Sequence, residues 1–241
     1  MSIVEERGAT SLPAPDAPSP ARAFAGRAAL IVGVASAVVA LILLALGATL
    51  AFQIVKPFPV LALAAWTALH AKHPAARLIA YGLVASAAGD VLLEIKGAFI
   101  AGMVAFAAAH GAYIVAFVRD HRRLEPVALI PFLFWGVGLF FYIRPGLGPL
   151  TIPVAAYAVV LCVMMWRAAA RYSIDRSRIA LIGLAGAVLF GFSDSLIAVR
   201  LGGSFFSWMP PTILITYWIG QVGIAASFTA IAPNENRARL A

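Results

Sequence analysis

The chain is a succession of long apolar stretches separated by short polar ones. Runs near the ~20 residues that a helix needs to cross a bilayer recur along most of its length. Charged residues, Pro and Gly between the runs divide the chain into eight predicted helices, at 28–52, 56–71, 75–94, 97–118, 126–143, 149–167, 178–200 and 210–231. Pro131 and two glycines lie in the fifth, where a membrane helix tolerates them better than a soluble one. The pattern therefore predicts an all-α fold, a polytopic transmembrane bundle over 28–231. Residues 1–27 carry Glu5, Glu6, Asp16 and the Pro-rich run SLPAPDAPSPARA with no apolar core. They predict a disordered cytoplasmic tail rather than a cleavable signal peptide, and 232–241 predict a short cytoplasmic C-terminal tail.

Composition strengthens the membrane assignment. The chain is 63% hydrophobic and 12% charged, against about 45–50% and about 25% in soluble domains. A net charge of +8 raises the question of nucleic acid, but the basic residues sit singly or in short groups between apolar runs. No basic face with interleaved aromatics forms, which argues against a nucleic-acid partner. They read instead as topology signals, because positive charge is retained on the cytoplasmic side. Beyond the distant Arg7, thirteen fall on the N-terminal side: Arg22, Arg27, Lys72, Arg77, Arg119, Arg122, Arg123, Arg167, Arg171, Arg176, Arg178, Arg237 and Arg239. Lys56, Lys96, Arg144 and Arg200 fall on the other, so the bias predicts eight spans with both termini cytoplasmic, in the plasma or inner membrane. The single Cys162 lies in an apolar segment; it excludes an intrachain disulfide framework and a Cys-based zinc cluster, and reads as packing.

An internal echo links the third and seventh spans at an offset of 104: GLVASAAGDVLLEIK (82–96) over GAVLFGFSDSLIAVR (186–200). The same offset pairs Tyr113 with Tyr217. An offset of four helices preserves direction, so this predicts a parallel 4+4 repeat.

With that orientation, ~1.5 Å per residue sets the depth of each polar group. Asp90 and Asp194 share a layer in the outer half of the membrane with Lys56, at the start of the second span, and Tyr217. Glu94 is one turn above Asp90, whereas His110 and Gln221 lie nearer the middle. An ionisable group facing lipid costs at least ~2.5–3.5 kcal/mol, which predicts that the two aspartates face inward together. The competing reading is that each bonds Ser or Tyr neighbours and only fixes packing. Lys56 needs a partner, with Asp90, Asp194 and a lipid phosphate as candidates, or it snorkels to the interface. Trp66, Trp135, Trp166, Trp208 and Trp218 read mostly as interfacial anchors.

Two buried carboxyls can divide the work of hydrolysing an acid-labile ether: one stays protonated as the donor, the other stays anionic beside the oxocarbenium-like cation. Glycosidases divide the task in this way. A transporter could carry protons or cations on the same pair, and spacing alone does not separate the two; a non-catalytic scaffold is a third reading. No phosphate-binding Gly loop and no G-x-S-x-G elbow is present, and His70, His73, His110 and His121 lack metal-site spacing.

At these residues the sequence resembles the YhhN-like integral membrane family, the lysoplasmalogenases. The matching pieces are KPFP (56–59), GDVLL (89–93), FAAAHGAY (106–113), SDSLIAVR (193–200) and TYWIGQ (216–221), in family order over about 55–230. The resemblance implies eight transmembrane helices and hydrolysis of the vinyl ether bond of a lysophospholipid substrate, the lysoplasmalogen, to a fatty aldehyde and a glycerophospho-ethanolamine or -choline. It implies no organic cofactor or metal. It points to Lys56, Asp90, His110, Tyr113, Ser193 and Asp194 as the polar site. On this reading Asp90 and Asp194 are the acid and base. Lys56 holds the headgroup phosphate, His110 orients a carboxylate or water, and Tyr217 or Tyr113 bonds the ether oxygen or glycerol hydroxyl. Gln221 and Glu94 complete the substrate-binding set.

Overall fold

The computed structural model describes residues 19–71 and 74–229. The expected tails up to residue 18 and over 232–241 lie outside the described residues, as do Lys72, His73, Arg237 and Arg239. Among the described residues the chain is all helical, with no strand. The helices are α1 (Pro20–Ala45), α2 (Thr49–Val55), α3 (Phe58–His70), α4 (Pro74–Glu94) and α5 (Phe99–Asp120), followed by α6 (Ile130–Leu147), α7 (Thr151–Ile174), α8 (Arg178–Leu201) and α9 (Met209–Thr229).

Seven helical segments in the described residues are long and apolar enough to cross a membrane, counting Thr49–His70 as one and Pro126–Ile174 as one. Their outer surfaces are apolar: Leu50, Val104, Phe134 and Ile152 are all exposed. So large an exposed apolar surface suits hydrocarbon and not water. The 49-residue segment Pro126–Ile174 is not one rod. Gly148 takes φ +50, a region open mainly to glycine, and ends α6. The Cys162 thiol donates to the Phe132 carbonyl at 3.3 Å, and a Cβ on Gly136 would meet Cys162 Sγ at 2.5 Å. In a straight helix a separation of 26–30 residues would span about 40 Å, so α7 folds back along α6.

Most helix ends lie within a few residues of the hydrophobic boundaries; those of the first two spans do not, and the sixth, expected to end at 167, runs on to Ile174. The first helix starts at Pro20, not 28, because Ser19 Oγ caps the Arg22 N–H at 3.3 Å and Pro20 occupies the first turn, where its missing N–H costs nothing. It stops at Ala45, not 52, because Gly47 turns the chain with φ +68. Thr49–Val55 therefore belongs to the second segment, and Lys56 sits at a break inside that segment instead of at its entry. Pro57 causes the break: without an N–H it cannot bond the carbonyl four residues back.

Packing relies on small residues. The pairs α4/α5 and α8/α9 run side by side, α3 packs on α1 and α4, and α7 joins α5 to α8. At the α8/α9 crossing, a Cβ on Gly186 would lie 2.7 Å from the Gly220 carbonyl oxygen, so backbone touches backbone. Close approach of this kind replaces the hydrophobic drive that lipid removes. Gly186→Val should cost about 1–3 kcal/mol by overpacking. A lowered thermal midpoint in detergent would register it, with Gly111→Ala as the neutral control, since nothing lies within 4 Å of a Cβ at Gly111.

The end of the bundle that carries Asp120 holds a buried cluster that the sequence reading missed. Arg171 Nε lies 2.6 Å from Asp120 Oδ2. Its Nη1 and Nη2 donate to Ser227 Oγ and to the Ser227 carbonyl, both at 3.1 Å, and its guanidinium faces the Phe228 ring at 4.8 Å. Arg167 donates to the His121 carbonyl and, at 3.0 Å, to the Arg123 carbonyl. Both arginines are buried: Arg171 ties α7 to α5 and α9, and Arg167 ties α7 to the loop that leaves α5. Two tryptophans also depart from the interfacial role: Trp218 is buried, and Trp135 donates to Ser195 Oγ at 3.0 Å.

Candidate active site

A cavity of about 650 Å³ opens at the opposite end of the bundle, between the last turns of α4 and α8, the first turns of α5 and α9, and the α2/α3 break. Asp90 on α4 and Asp194 on α8 both line it, with Lys56, Glu94, Ser193, Arg200 and Tyr217. The rest of the wall is apolar, including Leu93, Phe99, Phe106, Ile197 and Leu214. Beyond Asp194 two small apolar pockets continue between α5, α6, α7 and α8, both bordered by Tyr157.

Each carboxylate has its own network. Asp90, 2% exposed, accepts from Tyr217 OH at 2.8 Å through Oδ2, and its Oδ1 lies 3.6 Å from Lys56 Nζ. The same ammonium donates to Glu94 Oε1 at 2.8 Å, and Gln53 Nε2 donates to Glu94 Oε2 at 3.3 Å. Asp90 and Glu94 are four apart and so share one helix face. The proline break points Lys56 at both. Gly89 matters here too: a Cβ there would meet the Phe106 ring at 2.6 Å, so the glycine lets Phe106 pack beside Asp90.

Asp194 Oδ2 accepts from Tyr157 OH at 2.5 Å. His110 Nε2 lies 2.9 Å from that hydroxyl and 3.4 Å from the same carboxylate oxygen. His110 is fully buried, with its ring against Phe190 at 4.7 Å. Phe190 also packs on Tyr217 at 5.2 Å and Phe106 at 6.3 Å, so an aromatic wall lies beside the two networks.

The predicted residues thus fall into three groups. Lys56, Asp90, Glu94, Ser193, Asp194 and Tyr217 meet at the cavity. His110 reaches it through Asp194. Tyr113 and Gln221 do not line it: Tyr113 OH donates to Gln221 Oε1 at 2.7 Å, and Gln221 Nε2 donates to Ser86 Oγ at 3.0 Å. That buried triplet ties α4, α5 and α9 together. The Ser193 hydroxyl is engaged too, donating to the Ile213 carbonyl at 2.9 Å. Tyr157 went unnoticed in the sequence, although it is the only hydroxyl between Thr151 and Trp166. Arg200 carries no site role in the sequence beyond its place among the topology charges and at the end of SDSLIAVR. Among the described residues no group of three His, Cys, Asp or Glu could hold a metal ion.

The profile described as the YhhN family matches residues 51–228. The chain belongs to the YhhN family. Every YhhN residue at the cavity except Leu44 lies within that match. Human lysoplasmalogenase TMEM86B is 33% identical to this YhhN member over 180 residues, covering 72% of this chain and 74% of the human one. A lysoplasmalogenase homolog of Dictyostelium discoideum is 27% identical, covering 74% and 78%. A lysoplasmalogenase of Mycobacterium tuberculosis is 35% identical over 134 residues, covering 51% and 49%. No solved structure matches the chain significantly.

Proposed function

We propose that the chain is a membrane-embedded lysoplasmalogenase, hydrolysing the vinyl ether of a lysolipid to a fatty aldehyde and a glycerophosphodiester. One observation carries the reading: Asp90 and Asp194 line a single cavity whose remaining wall is mostly apolar. One carboxyl protonates the vinyl carbon remote from oxygen, which leaves an oxocarbenium ion. The other offsets that positive charge and then takes a proton from the water that attacks it. The resulting hemiacetal breaks its carbon–oxygen bond to release aldehyde and the glycerol hydroxyl. Tyr217 holds Asp90, while His110 and Tyr157 hold Asp194. The relatives named lysoplasmalogenase support this assignment.

The same reading takes α6 and α7 as separate crossings, giving eight with both termini on one side of a plasma or inner membrane. The positive-side bias then turns the cavity outward. A parallel 4+4 repeat relates Asp90 to Asp194. The second copy's Tyr217 bonds the first copy's Asp90, whereas Tyr113 bonds Gln221.

Purified protein in detergent is expected to release aldehyde from a lysoplasmalogen and none from the alkyl ether analogue, which lacks the double bond. A transporter using the same carboxylates would show no turnover in detergent but would move lipid in sealed vesicles. That result would overturn the hydrolase reading.

A further inference from the structure

Two cations line the cavity, and their surroundings differ. Lys56 is buried, and its ammonium is 2.8 Å from Glu94 and 3.6 Å from Asp90. One positive charge thus faces two carboxylates and holds them in place. Arg200, in the last turn of α8, is exposed and pairs with no carboxylate among the described residues. Its guanidinium carbon lies 5.4 Å from the centre of the Phe205 ring, and Phe205 also lines the cavity. The ring supports one face of the guanidinium. Its N–H edges are left open, as a planar fork that suits the oxygens of a phosphate better than an ammonium does.

The acidic groups on the cavity sharpen the argument. Asp90 and Glu94 lie together at Lys56, and Asp194 stands on α8 six residues before Arg200. An anion approaching Lys56 would meet two carboxylates. At Arg200 it would meet an unpaired cation.

We propose that Arg200 is the phosphate anchor of the cavity, binding the headgroup phosphodiester of a single-chain lipid at the mouth, with the chain running along the apolar wall. Lys56 serves the carboxylates instead. The assignment rests on the reading that a lysolipid occupies this cavity. It makes Arg200 a substrate-binding residue that selects phosphate-bearing lipids over alkylglycerols.

The test is direct binding to the purified full chain, read by intrinsic tryptophan fluorescence, so that no turnover is needed. Two probes are compared, a saturated alkyl ether lysophosphatidylethanolamine and the matching alkylglycerol without phosphate. Arg200→Gln should weaken the first by about tenfold or more and leave the second unchanged, with Arg200→Lys intermediate. Equal binding of the lysolipid by wild type and Arg200→Gln would overturn the proposal. So would equal loss of both probes in a variant that elutes as folded protein. Inorganic phosphate binding as tightly as the lysolipid would also overturn it, in favour of a free-anion site. If wild type binds lysolipid through Arg200 yet releases no aldehyde from a lysoplasmalogen, the hydrolase reading fails and the phosphate anchor stands.

Discussion

Asp194→Asn is expected to lower aldehyde release from a lysoplasmalogen by about 10²–10⁴-fold, the range that a positioned general acid or base contributes, with no loss of folded protein. The amide matches the carboxylate in shape and still accepts from Tyr157, whose hydroxyl lies 2.5 Å from Asp194 Oδ2. It cannot give up or take a proton at the reacting atoms. Asp90→Asn should cause a comparable loss, and its folding is protected because Lys56 keeps Glu94 at 2.8 Å. Tyr157→Phe removes only the hydroxyl that holds Asp194 and should cause a smaller drop. Variants are compared at equal folded yield by size-exclusion chromatography, with aldehyde trapped as its hydrazone. Wild-type rates in both Asn variants would end the carboxylate mechanism and favour a purely structural role for the pair.

The second large effect falls at the other end of the bundle. Arg171→Met should destabilise the protein by about 3–5 kcal/mol, the cost of breaking a buried ion pair by removing one of its members. Asp120 is 1% exposed, and Arg171 Nε is 2.6 Å from its carboxylate. Arg171 also holds Ser227 in α9 through two hydrogen bonds, so its loss loosens α5, α7 and α9 together. Adding Asp120→Leu to Arg171→Met should recover part of the loss, since the pair can be replaced by apolar groups more cheaply than it can be halved. Thermal unfolding in detergent, followed by helical circular dichroism, measures both. A double variant weaker than Arg171→Met alone would show that the cluster does not act as a pair.

The apolar runs by themselves determined that the chain is helical and fit for a membrane. A span of hydrocarbon requires its backbone groups to be satisfied within the helix, and that requirement is written in local composition and length. Helix ends were legible where charge or proline bounded a run, as at Pro74, Arg178 and Met209. They were not at Gly47, because a glycine inside an apolar run does not announce whether it will take a positive φ. The aspartates were legible for the same reason as the helices: a carboxylate in an apolar run is costly enough to stand out.

Only the tertiary structure decided which groups meet. It put Lys56 against Glu94 and Asp90, Tyr157 against Asp194, and Tyr217, not Tyr113, against Asp90. It also turned Arg171 inward, although its sequence position suits a cytoplasmic rim. Those pairings cross from 34 residues of chain, between Lys56 and Asp90, to 127, between Asp90 and Tyr217. They depend on helix rotation and on backbone approach at glycines such as Gly89 and Gly186. Hydrophobic pattern constrains neither, because every face of a helix between protein and lipid can be apolar.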